Sequence, residues 1–180
     1  MEMTGERQIA ASRDTVWAAL NNPGVLKQCI PGCESLEMLS PTDMTARVKL
    51  QIGPVKANFS GKVKLSDLDP PNGYRISGDG SGGVAGYAKG GATVRLLEDG
   101  AGTLMRYAVN ADVGGKLAQL GGRLIDATAK RLADEFFERF SAVVGGPTPD
   151  RHVASGAGPE RKMGWFRRLL HRLFHRRGTA

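Results

Sequence analysis

The side chains that most often carry catalysis are scarce in the first 151 residues of the chain. No histidine occurs there, and the three histidines of the sequence are His152, His171 and His175. Histidine is the commonest general base and a frequent metal ligand, because its charge changes near neutral pH. The pattern therefore argues against a catalytic triad or a zinc site in the part of the chain that is long enough to form a domain.

Four acids form two close pairs, Asp67 with Asp69 and Glu98 with Asp99. Paired carboxylates can act as general acid and general base when their surroundings separate their pKa values. Both pairs lie in turn-like stretches, where aspartates commonly accept hydrogen bonds from their own backbone. We interpret these acids as solvated loop charges.

The two cysteines, Cys29 and Cys33, enclose an Ile-Pro-Gly turn. Their spacing is neither C-x-x-C nor half of a zinc site with visible partners. A nucleophilic cysteine would need a histidine to activate it, and the predicted domain contains none. We expect reduced thiols on either side of a turn, as in a cytosolic protein.

Residues 78–91 are rich in glycine. A phosphate-binding loop would require a following Lys-Ser/Thr pair and a strand that leads into a helix, and neither is visible. The segment fits better as strand ends and a mobile hairpin near the mouth of a pocket.

The elements that would position these residues occur in the order β, α, α, several β, α. Residues 6–11 can begin a strand, Ser12 is placed to cap a first helix, and residues 25–29 predict a second. Alternating apolar residues then predict five or six antiparallel strands. These strands fall within residues 44–52, 55–65, 74–80, 87–97 and 103–113, with a tight turn at Gly53 and Pro54.

The spacing of apolar residues changes to a helical period over residues 116–144. One face of the predicted helix carries Leu117, Leu120, Leu124, Thr128, Leu132, Phe136 and Phe140. This stripe must be buried, and the one-sided sheet is the only apolar surface large enough to receive it. The sequence therefore predicts an α+β helix-grip fold, in which a curved antiparallel sheet surrounds a long C-terminal helix.

Small residues at the presumed inward positions of the strands, such as Ala57, Gly61, Gly78, Gly90 and Ala92, cannot fill the space under a bent sheet. We therefore expect a hydrophobic pocket between sheet and helix, although each lining residue taken singly also fits ordinary core packing. The candidate ligand-binding residues are Trp17, Met38, Met44, Phe59, Tyr74, Ala92, Met105, Tyr107, Leu117, Leu120 and Leu124.

The end of the chain carries its net charge of +7. Residues 161–180 contain seven basic residues and no acid, which leaves 18 basic against 18 acidic residues in the rest. Residues 165–177 form an amphipathic pattern with one apolar and one cationic side, typical of a helix that lies in an anionic membrane surface. Its predicted membrane-binding residues are Trp165, Phe166, Arg167, Arg168, Leu169, Leu170, Arg172, Leu173, Phe174, Arg176 and Arg177.

This cationic helix is too short to cross a bilayer, because about 13 residues span only about 20 Å. Residues 145–164, rich in Gly, Pro, Ala and Ser, predict a flexible linker with a reach of about 25 Å.

An acidic protein groove is the main alternative to a membrane as the partner of residues 165–177. Nucleic acid is disfavoured, since residues 1–160 carry as many acidic as basic residues and add no net positive charge. No run resembles a signal peptide or membrane span, which predicts a cytoplasmic protein.

Residues 1–144 resemble the CoxG family, the G subunit of carbon monoxide dehydrogenase, in the START-like (polyketide cyclase, SRPBCC) superfamily. The resemblance rests on the order of elements, on Ser-Arg-Asp-Thr-Val-Trp at 12–17, on Cys-Ile-Pro-Gly-Cys at 29–33, and on the small residues of 80–91. It implies a cytoplasmic accessory protein of molybdenum hydroxylases such as carbon monoxide dehydrogenase, which attaches the enzyme to the inner membrane face and takes part in its traffic with membrane quinone. The cationic end matches the family's membrane anchor.

Together these observations predict a non-catalytic protein without a covalently bound cofactor. Its domain would bind an apolar molecule, with menaquinone or ubiquinone as the carried ligand, and residues 165–177 would dock to the anionic inner membrane. A START-like enzyme such as a cyclase or hydrolase is one alternative. A pure membrane adaptor with a closed pocket is another.

Overall fold

The computed structural model describes residues 1–145 of the 180-residue chain. The predicted cationic helix, residues 165–177, lies outside the described residues. So does the predicted linker, except for its first residue, Gly145, which ends a helix.

Two short helices follow the first strand, as the sequence predicts. They are α1 (Arg13–Leu20) and α2 (Pro23–Cys29). The Ser12 hydroxyl oxygen accepts a hydrogen bond from the Thr15 backbone N–H at 3.3 Å, which caps α1. The Asn22 side chain caps α2 in the same way. The predicted cap at Ser12 is confirmed.

Seven antiparallel strands form one sheet. They are β1 (Glu2–Ile9), β2 (Cys33–Met38), β3 (Asp43–Ile52), β4 (Val55–Asp69), β5 (Gly73–Ser81), β6 (Tyr87–Asp99) and β7 (Gly102–Gly114). The order across the sheet is β1-β7-β6-β5-β4-β3-β2, so each strand pairs with its neighbour in sequence except β1, which pairs with the last strand. The predicted series of antiparallel strands after two small helices is confirmed.

The strand predictions are wrong at two places. Strand β1 begins at Glu2, earlier than the predicted residue 6, and ends at Ile9. Strand β2 has no counterpart among the predicted segments, because a register shift between Cys33 and Ser35 interrupts its alternation of inward and outward side chains.

The long helix α3 (Gly122–Gly145) begins six residues later than residue 116, where the apolar stripe predicts it. Gly121 has φ +86°, a conformation that no residue adopts inside a right-handed helix. Before it, Ala118–Leu120 form a 3₁₀ turn. Leu117 and Leu120 keep the helical spacing in the sequence but precede the helix, which corrects the prediction.

The buried core lies at one end of the sheet, which we call the core end. There α1 and α2 pack with the last turns of α3 on the side of the sheet that we call the inner face. The core consists of Ile9, Val16, Leu20, Cys29, Met44, Leu65, Tyr74, Val94, Leu96, Met105 and Phe140. Burying these side chains supplies the main stabilisation of the fold.

Candidate ligand-binding site

The inner face is less well covered at the other end of the sheet, which we call the glycine end. Cross-strand register places Ala92 between Ile76 and Val109, and Phe59 opposite Val48, all on the inner face. These five side chains are only half-buried. Helix α3 packs mainly against α2 and β1 and meets β3 near its own first turn, and the apolar strip between these contacts stays partly open.

The inward glycines of this end are required by the close approach of neighbouring strands. A Cβ atom on Gly90 would lie 2.1 Å from the Asn110 carbonyl oxygen. A Cβ atom on Gly61 would lie 2.6 Å from the Asp79 carbonyl oxygen. The sheet coils tightly here, and only glycine permits the backbones to come so close. The inward glycines therefore determine the shape of the sheet, and they also leave room on its inner face.

A crevice of about 300 Å³ lies between β1 and α3. Residues of β1 together with Tyr107 form one wall, and charged and small residues of α3 form the other. The lining comprises Met1, Glu2, Met3, Thr4, Gly5, Arg7, Tyr107, Asp126, Ala129, Lys130, Ala133 and Asp134. Its volume is at the lower limit of small-molecule sites, which usually enclose about 300–1,000 Å³.

Aromatic rings and one ion pair fix the wall of the crevice. The Tyr107 ring stacks on the Phe137 ring of α3, with centroids 5.1 Å apart. The Arg7 guanidinium lies 5.3 Å from the centroid of the Phe137 ring and pairs with the Asp134 carboxylate. A Cβ atom on Gly5 would lie 2.3 Å from the Tyr107 hydroxyl oxygen. The bare backbone of β1 thus makes room for this phenol.

The charges that line the crevice balance at neutral pH. Three groups are cationic and three are anionic: the Met1 ammonium, Arg7 and Lys130 against Glu2, Asp126 and Asp134. The Met1 ammonium also donates a hydrogen bond of 2.9 Å to the Ala111 carbonyl oxygen. A site without excess charge suits a neutral ligand better than an anion.

Four of the predicted lining residues lie at the core end. Met44, Tyr74 and Met105 are buried in the core, and Trp17 packs against it. The Trp17 and Tyr74 rings meet edge-on with centroids 5.5 Å apart. Burial raises the pKa of Tyr74 far above its ordinary value, so its phenol stays neutral. As ligand contacts these residues stay predictions.

The other predicted residues spread along the sheet and the approach to α3. Met38 is 37% exposed at the end of β2, whereas Leu117 is buried before α3. The Leu117 backbone N–H donates a hydrogen bond of 3.0 Å to the Ala85 carbonyl oxygen. Three further predicted residues are half-buried, namely Phe59, Ala92 and Leu120.

Leu124, in the first turn of α3, is also half-buried and approaches the β3–β4 turn, where a Cβ on Gly53 would lie 2.8 Å from it. Of the eleven candidates only Tyr107 lines the crevice.

Several crevice residues were not among the sequence candidates. Gly5 and Arg7 belong to the β1 alternation, in which an isolated glycine signals a close approach. Ala129 and Ala133 are four residues apart on α3, a spacing that places two small side chains on one helix face. The location of Gly5 and Arg7 beside Tyr107 depends on the pairing of β1 with β7, which local sequence patterns do not encode.

The larger surface depression, about 420 Å³, lies on the opposite face of the sheet. Outward side chains of β1, β6 and β7 line it, including Glu6, Arg95 and Arg106. Arg106 Nε and Glu6 Oε2 form an exposed ion pair at 3.1 Å. This depression is shallow and open to solvent, whereas a small-molecule site encloses most of its ligand. The crevice and the inner face at the glycine end are the stronger candidates.

Neither cysteine is prepared for nucleophilic chemistry. Burial raises the pKa of Cys29, although the Arg139 charge opposes the change, and burial also raises the pKa of Cys33. A raised pKa keeps a thiol protonated and unreactive.

Within residues 1–145, no group of three or more His, Cys, Asp or Glu side chains is arranged to hold a metal ion. None of the helices in that same range has the length and apolarity needed to cross a membrane.

Solved structures share this architecture. A conserved protein from Geobacillus kaustophilus superposes with a TM-score of 0.76 at 28% identity, over 80% of this chain and 95% of that chain. A START superfamily protein from Mycobacterium smegmatis gives a TM-score of 0.63 at 13% identity, over 79% and 96% of the two chains. The second likeness shows the START-like fold alone. A search of curated proteins finds no match.

A family model also matches most of the described residues. The model for CoxG, the G subunit of carbon monoxide dehydrogenase, matches residues 5–145, which include most of β1, the sheet and the whole of α3. The match agrees with the family suggested by residues 12–17 and 29–33. The chain has a START-like fold and belongs to the carbon monoxide dehydrogenase CoxG family, whose model matches residues 5–145.

Proposed function

We propose that this protein is a non-catalytic accessory subunit that carries a neutral apolar ligand between the sheet and α3. The observation that carries the proposal is the half-buried apolar strip of the inner face, with Phe59, Ala92 and Val109, beside a crevice of about 300 Å³. Apolar surface left open in a concave site gains free energy when a ligand covers it, by about 25 cal/mol per Å².

Menaquinone or ubiquinone is the ligand that we propose. An isoprenoid quinone has a neutral ring with two carbonyl oxygens and a long apolar tail. The charge balance of the crevice suits such a ring, and the strip of the glycine end suits the tail. Membership in a family named for one component of carbon monoxide dehydrogenase supports a redox-active ligand.

The membrane partner is proposed from residues 165–177. Apolar and arginine side chains alternate there with helical spacing, and no acid occurs among residues 161–180. Each basic residue close to an anionic leaflet contributes about 1 kcal/mol of binding free energy. The protein would therefore lie on the inner face of the cell membrane, where a quinone carrier meets its ligand.

The proposed protein partner is a molybdenum hydroxylase such as carbon monoxide dehydrogenase, which the family name supports. In this role the accessory protein brings the enzyme and membrane quinone together. Mixing the two purified proteins and following their association by analytical ultracentrifugation tests it. Absence of a complex at micromolar concentrations would contradict the proposed pairing.

A START-like cyclase or hydrolase is the competing function. Such an enzyme needs an acid or base beside the bound substrate. The crevice offers a phenol and ion-paired side chains, and residues 1–145 contain no histidine. These features favour a carrier over an enzyme.

Mass spectrometry of an organic extract of the purified full-length protein tests the carrier proposal. We expect a menaquinone or ubiquinone in near-stoichiometric amount. An extract without quinone or other lipid, from protein that also takes up none from quinone-loaded vesicles, would contradict the carrier and favour a pure membrane adaptor.

A further inference from the structure

We propose that the β1–α3 crevice holds the polar, oxygen-bearing head of the ligand and that the Tyr107 hydroxyl donates the hydrogen bond that fixes it. This inference rests on the proposed function, because it assigns one end of the carried molecule to a defined place. The rest of the ligand would extend along the inner face toward Ala92. The chemical class recognised is a neutral ring that bears a carbonyl oxygen.

The position of the Tyr107 ring is set before any ligand binds. The ring projects from the inner face of β7 and stacks on Phe137 of α3, with centroids 5.1 Å apart. Phe137 in turn meets Phe136 edge-on at 5.2 Å. Aromatic pairs of this kind stabilise each other beyond the burial of their area, so the ring has little freedom. A fixed ring presents its hydroxyl at a defined point of the crevice.

The backbone of β1 opens a path for that hydroxyl. Gly5 pairs with Tyr107 across the two strands. A Cβ atom at residue 5 would lie 2.3 Å from the hydroxyl oxygen and 2.5 Å from Cζ, well inside van der Waals contact. Any larger residue would push the phenol out of its place. The glycine therefore allows the hydroxyl to reach a site that is lined from both β1 and α3.

The hydroxyl is available to a ligand. Within residues 1–145, no protein group forms a hydrogen bond with it, although the side chain is half-buried between β1 and α3. A phenol in such surroundings usually finds a hydrogen-bond partner. A carbonyl oxygen of a ligand ring can accept this hydrogen bond.

The rest of the crevice selects for a neutral head. Arg7 is held by Asp134 and lies over the Phe137 ring, so its charge is already matched. Lys130 is offset by the acids of the same lining. A carboxylate such as that of a fatty acid would have to break one of these pairings or stay incompletely solvated. Ala129 and Ala133 leave space for a flat ring against α3.

Binding of menadione, a naphthoquinone ring without a tail, tests the head site by calorimetry on the full-length protein. Tyr107→Phe should weaken menadione binding about 3- to 10-fold, the usual effect of losing one hydrogen bond. Tyr87→Phe is the matched control, because Tyr87 is 54% exposed and points to the outer face, and it should bind like the parent. Palmitate should bind more weakly than palmityl alcohol.

An infrared measurement separates a hydrogen bond from a change in packing. Menadione labelled with ¹³C at its carbonyls should show a lowered carbonyl stretch when bound to the parent protein, and Tyr107→Phe should restore the higher frequency. An unshifted band in the parent would overturn the proposal even if the variant failed to fold. Equal affinity of parent and Tyr107→Phe would also overturn it. If the parent protein binds no quinone at all, both the proposed function and the proposed head site are wrong.

Discussion

The Tyr107 ring stacks on Phe137 and so connects the sheet to the long helix at the crevice. The contact continues through Phe136, whose ring stacks on that of Phe140 with centroids 5.6 Å apart. Phe140 is fully buried in the core. A continuous series of four aromatic rings therefore joins the crevice to the core end. Tyr107 and the α3 side of the crevice are held in place because their rings pack, one on the next, against the best-buried part of the molecule.

Filling the inner face should block ligand binding. Ala92→Phe places a large ring between Ile76 and Val109, so we expect loss of quinone uptake with a stability cost of about 1–3 kcal/mol. Uptake from quinone-loaded vesicles and urea unfolding measure the two effects. Ala108→Phe, on the exposed outer face of β7, should change neither by much. A folded Ala92→Phe variant that takes up quinone normally would place the ligand elsewhere.

Replacing the closest glycine should strain the sheet. Gly90→Ala brings a Cβ within 2.1 Å of the Asn110 carbonyl oxygen, so the strands must separate, and we expect a loss of about 1–3 kcal/mol in unfolding free energy. Gly122→Ala, at the start of α3 with no atom within 4 Å of the new Cβ, should stabilise by up to about 1 kcal/mol. Urea midpoints measure both. Equal effects of the two substitutions would contradict a sheet-specific role for Gly90.

The two faces of residues 165–177 should respond differently when changed. Leu170→Asp should lower binding to anionic liposomes at least about tenfold, because a charge on the apolar face must lose its hydration. Arg168→Gln should cost about fivefold at low salt, and the difference should vanish at high salt. Co-sedimentation measures both, with a protein ending at Gly158 as the control. The opposite ranking would favour an acidic protein partner.

The Cys29 thiol should be inert in the folded protein. The side chain is fully buried, and burial raises its pKa. In Cys33→Ser, a thiol reagent at pH 8 should therefore react only as fast as the protein unfolds. Because the unfolded thiol loses its proton first, Cys29 contributes stability below about pH 8.5 that is lost as the pH rises above this value. Rapid labelling under native conditions would contradict the buried position.

Local patterns were sufficient for most of the fold. The alternation in residues 55–65 and the cap at Ser12 each depend on neighbours in sequence, and both are confirmed. The start of α3 was not predictable from spacing, because Leu117 and Leu120 continue the helical period while Gly121 takes a left-handed conformation. A pattern of apolar residues reports burial and does not report where a backbone changes direction.

The candidate site was much less predictable than the fold. Tyr107 is the one predicted residue that lines the crevice, and the prediction rests on its place in a strand and not on its neighbours in space. Its partners Gly5 and Phe137 are more than 100 residues and 30 residues away, and their meeting requires the pairing of the first strand with the last. Glycine in a strand signals a close approach, but the sequence does not identify the group that approaches.

The pairing of β1 with β7 also governs how the domain assembles. Glu2 lies opposite Asn110, so this ladder closes a loop that contains the other five strands and both short helices. Closing a long loop costs conformational entropy before the contacts that stabilise it have formed. Contacts between residues distant in sequence therefore slow folding. We therefore expect β1 to dock late and to detach early under mild denaturant. Hydrogen exchange should show its amides less protected than those of the β3–β4 hairpin, which places the crevice at the least stable edge of the domain.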